Sequence, residues 1–191
     1  MPPGAGATRR PRLDQQRSQA GADDFRHRLA PHAVALSADV PSPADPDVEL
    51  GTGRLVLLHD PAGHEAWEGT FRCVAYARAD IDPDLGADPM LAAVGWSWLT
   101  EALEAHGAGF HAASGTVTRV TTESFGQMAD ESGTAQVEIR ASWTPDVDEA
   151  GALDMTAHVE AWGELMCTAV GLPPVPEGVT AIPSRRGQRG T

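Results

Sequence analysis

TAQVEIRASWTP, residues 134–145, restricts the fold more than any other stretch of the chain. Ala135, Val137, Ile139, Ala141 and Trp143 alternate with Gln136, Glu138, Arg140 and Ser142. Successive side chains of a strand point to opposite faces, so this alternation describes a strand covered on one face and wet on the other. TFRCVAYARADI (70–81) follows the same rule, with Phe71, Cys73, Ala75 and Ala77 on one side and Arg72, Val74, Tyr76 and Arg78 on the other. AVALSADV (33–40) and RLVLLH (54–59) read as two further strands, the second apolar on both faces and so central. HAASGTVTRVTTESF (111–125) is a fifth, with a bend expected at Gly115.

Two helices complete the pattern. DPMLAAVGWSWLTEALEAHG (88–107) offers Asp88 as a cap, Pro89 at the first helical position and Gly107 as a stop. Leu91, Val94, Gly95, Trp98 and Ala102 form its apolar stripe, widened by Trp96, Leu99 and Leu103. In 153–171, Met155, Val159, Trp162, Met166 and Val170 recur at helical spacing. The order βββ-α-ββ-α predicts an α+β domain over residues 31–175: one antiparallel sheet with both helices packed on one face. Residues 1–30 read as a disordered leader, apart from a turn at Phe25 and Leu29, and 176–191 as a tail in which Val179 and Ile182 could pack down.

Charge narrows the function. All 14 basic residues are arginine, and between residues 31 and 175 there are five of them against 23 Asp and Glu. Such a body repels a phosphate backbone, so direct nucleic-acid contact through it is disfavoured. No apolar run reaches the ~18 residues of a membrane span, and the N-terminus lacks the apolar core of a secretory signal, which predicts a cytoplasmic protein. Cys73 and Cys167 lie far apart and read as free thiols.

HDPAGHEAWEGTF (59–71) is the candidate site. One reading takes His59 and His64 with Asp60, Glu65 or Glu68 as metal ligands or as an acid-base pair. But Pro61 and Gly63 separate the histidines, whereas catalytic zinc motifs fix two of them on one helical face. The favoured reading is a turn built by Asp60, Pro61 and Gly63, with no metal and no cofactor, whose Trp67 folds back over the sheet edge. Trp67 and Trp96, outside the inward stripes that hold Trp98, Trp143 and Trp162, are candidates for an exposed contact patch. The expected partner surface is therefore His59, Asp60, Gly63, Glu65, Trp67 and Trp96. Arg119 and Arg140 are a weaker candidate pair for an anion. No serine carries a nucleophile-elbow pattern, no phosphate loop is present, and His106, His111 and His158 read as surface or helix-end residues.

RLAPHAVALSADV, TGRLVLLHDPAGHEAWEGTFR, DPMLAAVGWSWLTEAL, SGTVTRVTTESFG, EIRASWTP and AWGELMCTAVGLPPVPEGV resemble an uncharacterised actinobacterial family, domain of unknown function 3000, over residues 28–186. The resemblance implies a cytoplasmic protein with no assigned activity, cofactor or catalytic residues. Genes of that family often stand beside a ribonuclease of the D type, which implies an accessory role in RNA processing as one alternative. Members usually begin with an amphipathic helix and an acidic linker, from which residues 1–27 depart. With that helix the element order is similar to type III secretion chaperones, an analogy of order alone. The leading expectation is a non-enzymatic module binding a protein partner of unknown identity, its oligomeric state open. The alternative is an enzyme or small-ligand binder using the 59–68 loop.

Overall fold

The computed structural model describes residues 30–172; the leader, the C-terminal tail and the expectations placed on them lie outside this range. Three strands come first: β1 (His32–Pro41), β2 (Glu49–His64) and β3 (Gly69–Ile81). Then follow α1 (Pro83–Ala87), α2 (Leu91–Ala105), β4 (Phe110–Thr122), β5 (Thr134–Pro145) and α3 (Thr156–Ala169). The strands form one antiparallel sheet in the order β1-β2-β3-β5-β4, so β3 is its middle strand.

Alternation sorts the two faces as the sequence requires. Cys73, Ala75, Ala77, Ala79, Val137, Ile139, Ala141 and Trp143 are all buried on one face. Against them pack Leu91, Leu99, Ala102 and Leu103 of α2 and Ala161, Trp162, Leu165, Met166 and Ala169 of α3. The other face carries Arg72, Val74, Tyr76, Gln136, Glu138 and Arg140, and no helix of the described residues packs over it. This is the α+β sheet the pattern predicts, helices on one side.

Several local expectations shift. β2 begins at Glu49, five residues before the strand expected at 54–59, and takes in Gly51 and Gly53. Those glycines are close-approach positions: a Cβ at Gly51 would stand 2.8 Å from Val170 and 2.9 Å from the Arg78 carbonyl. The predicted bend at Gly115 falls earlier, where β4 loses register between His111 and Ser114 and Ala112 takes φ 49°. Gly115 instead gives room to Trp96, whose ring would lie 2.6 Å from a Cβ there.

α2 starts at Leu91, after Pro89, although the Asp88 carboxylate does accept from Met90 N (2.8 Å). Its core face is centred on Leu99, and Val94, placed in the stripe, is 40% exposed. The stripe assigned to α3 is rotated in the same way, because His158 enters the core while Val159 is only partly buried. The short α1 is an addition: Asp82 caps it by accepting from Asp84 N (2.8 Å), with Pro83 at its first position.

Candidate functional site

The β2–β3 hairpin converts HDPAGHEAW into three separate devices. Asp60 Oδ1 accepts from Ala62 N (2.9 Å), a side-chain turn that Gly63 continues at φ 75°. His64 caps the 3-10 turn Glu65–Trp67, its Nδ1 accepting from Ala66 N (3.2 Å) while its ring stacks on Trp67 at 4.9 Å. His59 sits apart from both, its ring between those of His32 (5.7 Å) and Phe71 (4.3 Å) on neighbouring strands. The two histidines thus do different structural work. Among the described residues no group of three or more His, Cys, Asp or Glu is placed to hold a metal ion.

The hairpin tip is tied down. Thr144 of β5 donates its hydroxyl to the Trp67 carbonyl. His111 of β4 reaches the Glu68 carbonyl through Nε2 (3.3 Å) and Asp146 through Nδ1 (2.7 Å). The bond to Asp146 raises the His111 pKa above its usual value. Trp67 is thereby anchored on the open face of the sheet, whereas Trp96 packs against Gly115 on the helical face. The two indoles, expected as one patch, are not brought together.

Arg119 and Arg140 part in the same way. Register pairs Arg119 with buried Val137, which puts it on the helical side, where its guanidinium donates to the Asp88 carbonyl. Arg140 pairs with Tyr76 and Thr116 on the open side. They cannot grip one anion.

What the open face holds instead is an array of arginines. Arg54, Arg72, Arg78 and Arg140 all lie on it, four of the five arginines between residues 31 and 172. Of the 23 acidic residues in that range, the registered strand positions of this face hold three. Each of the three has a partner within the face: Asp39 accepts from Thr52 (2.8 Å) and Asp80 from Gln136 (2.7 Å). Glu138 accepts from Tyr76 (2.9 Å) and pairs with Arg140 at 2.6 Å. Among the described residues no carboxylate lies within ion-pair range of Arg54, Arg72 or Arg78.

Arg72 is the least expected of these, since the alternation assigns it to solvent. It is only 7% exposed. Nη1 donates to the Ala112 carbonyl (2.9 Å) and to Thr144 Oγ1 (3.1 Å). Nη2 donates to Ser142 Oγ (2.8 Å), the Ser142 carbonyl (3.3 Å) and Ser114 Oγ (3.3 Å). Burial lowers its pKa, opposed by the fields of Cys73 and Glu68. The hydroxyl residues at 114, 142 and 144 fall beside Arg72 only through strand register, so the sequence alone carried no signal for its burial.

On the helical side, His158 is buried rather than superficial, and its Nδ1 accepts from Trp143 Nε1 at 3.2 Å. Burial lowers its pKa, with Asp146 and Asp154 pulling upward. The unfolded histidine titrates near 6.5, so below about that pH the unfolded chain binds the extra proton more readily than the folded one. Stability contributed here is present above that pH and is lost as pH falls towards the folded value. His111, with a raised pKa, acts in the opposite sense: its contribution is full below about pH 6.5 and fades as pH rises through its folded value. In urea titrations between pH 7 and 5, wild type is expected to lose more stability than His158→Leu. Parallel pH profiles for the two proteins would exclude this role. Cys73 is inert by the same burial, its thiol pushed up to about 12, and both Cys73 and Cys167 are free.

No helix among the described residues is long and apolar enough to cross a membrane. Nothing among the curated proteins or the solved structures matches the chain. One family profile does, over residues 7–180, which takes in most of the leader whose residues 1–27 depart from the amphipathic helix expected there. With that match spanning most of its length, the chain belongs to the family described as "Protein of unknown function (DUF3000)".

Proposed function

We propose that this protein is a non-enzymatic binding module whose open sheet face docks an acidic segment of a protein partner. One observation carries the reading: Arg54, Arg78 and Arg140, with buried Arg72 behind them, gather on the sheet face that no described helix covers, on a body that is otherwise strongly acidic, and Arg54 and Arg78 have no carboxylate partner among the described residues. Tyr76, Val56 and Val74 lie among them and supply apolar contact area. Complementary charge steers such an encounter and sets its salt dependence. The hairpin tip with His64, Glu65 and Trp67 borders this face and forms its rim. Trp96 belongs to the opposite side and has no part in it.

A fluorescein-labelled peptide of ten glutamates, followed by anisotropy at low salt, tests the reading. Binding is expected to weaken by about tenfold or more in Arg54→Glu/Arg78→Glu, equivalent to about 1.4 kcal/mol, and to fade as salt is added. Equal affinity of wild type and variant, or no binding by wild type, would end it.

A further inference from the structure

We propose that Ser114 and Ser142 form a carboxylate-binding subsite on the open face, backed by Arg72 and flanked by Arg140. It rests on the reading of that face as an acidic-segment dock and names where one carboxylate of the segment would sit. Both serine oxygens accept from the Arg72 guanidinium, at 3.3 Å and 2.8 Å. Each hydroxyl proton is therefore directed away from Arg72. The two oxygens lie 3.4 Å apart, a separation at which their mutual bond is weak. Two neighbouring O–H donors, each polarised by the same buried cation, match the two oxygens of one carboxylate.

The surroundings favour an anion there. Arg72 is buried with no carboxylate partner among the described residues, and a buried charge left in that state is costly. A ligand carboxylate across the serine pair offsets part of that cost through space. The pair opens into a shallow depression of about 370 Å³, bordered by Val74, Tyr76, Thr116 and Arg140. Arg140 is 60% exposed and lies with its Cζ 5.6 Å from the Tyr76 ring centre, so it can turn towards an arriving anion. Glu138, bound to Arg140 and Tyr76, faces the same region and opposes a second negative charge. That favours a monoanionic carboxylate over a phosphate dianion.

The test is a titration of the full-length ¹⁵N-labelled chain with sodium acetate and, separately, with inorganic phosphate, at constant ionic strength. The amides of Ser114, Gly115 and Ser142 are expected to shift saturably with acetate. The apparent affinity should fall by about tenfold in Ser114→Ala, the loss of one hydrogen bond to a charged group. Arg140→Gln, which leaves the Arg72 bonds intact, should weaken it in the same direction. A linear, unsaturated drift in wild type, unchanged affinity in both variants, or tighter binding of phosphate than of acetate would each overturn the subsite. Its failure is distinguishable from failure of the dock. If the glutamate peptide binds Ser114→Ala as tightly as wild type while depending on Arg54 and Arg78, the dock stands and the subsite falls.

Discussion

Trp143→Ala is expected to cost about 4 kcal/mol, within the range for emptying a buried aromatic position. Trp143 is fully buried on the covered face, near the end of β5 where it meets the first turn of α3. Two losses combine: the cavity left by the indole, and the orphaned Nδ1 of His158, which has burial but no other partner among the described residues. With an m-value of about 2 kcal/mol/M, the urea midpoint should drop by about 2 M. Trp143→Phe separates the terms, because it keeps most of the volume and removes the N–H; about 2 kcal/mol is expected. Replacing His158 by leucine in the Trp143→Phe background should then restore part of the loss, since the stranded acceptor is gone. A cost below about 1.5 kcal/mol for Trp143→Ala would mean that this position is not the centre of the core.

The fold was largely legible because its signal is local. In β5 and β3 every second residue is apolar, and each of those positions from Cys73 to Ala79 and from Ala135 to Trp143 is buried. Legibility ended where a residue's role depends on what crosses it. Gly51 and Gly53 look like loop residues in one dimension, yet they are strand positions over which α3 lies close. His158 looks polar and peripheral until Trp143 is brought opposite it. The site was less legible for the same reason. Whether Arg119 and Arg140 share a face is decided by strand register, and a shift of one residue would exchange the faces. His59, Asp60 and His64 look like a cluster along the chain, but the hairpin gives them unrelated hydrogen bonds and ring contacts. Arg72, Ser114 and Ser142 lie on three different strands, and no short motif could join them.

Arg72→Met is expected to destabilise the fold by about 3 kcal/mol, although it removes a buried charge. Two effects compete. Methionine avoids the desolvation of a guanidinium that has no carboxylate partner among the described residues, which by itself favours the variant. Against this, the change deletes five charge-assisted contacts at 2.8–3.3 Å, two of them to main-chain carbonyls, those of Ala112 and Ser142. Hydrogen bonds to charged groups are worth about 1.5–3 kcal/mol each, and several acting together outweigh the desolvation of one delocalised cation. Arg72→Lys should recover little, because a compact ammonium cannot span acceptors on both β4 and β5. The position of the damage discriminates further. Arg72 holds Ala112, a non-glycine residue at φ 49°, where β4 loses register. Hydrogen exchange should therefore speed up first at the amides of residues 111–116 and leave those of β2 unchanged. If Arg72→Met proves as stable as wild type, the burial of Arg72 is kept for its charge at Ser114 and Ser142 rather than for the fold.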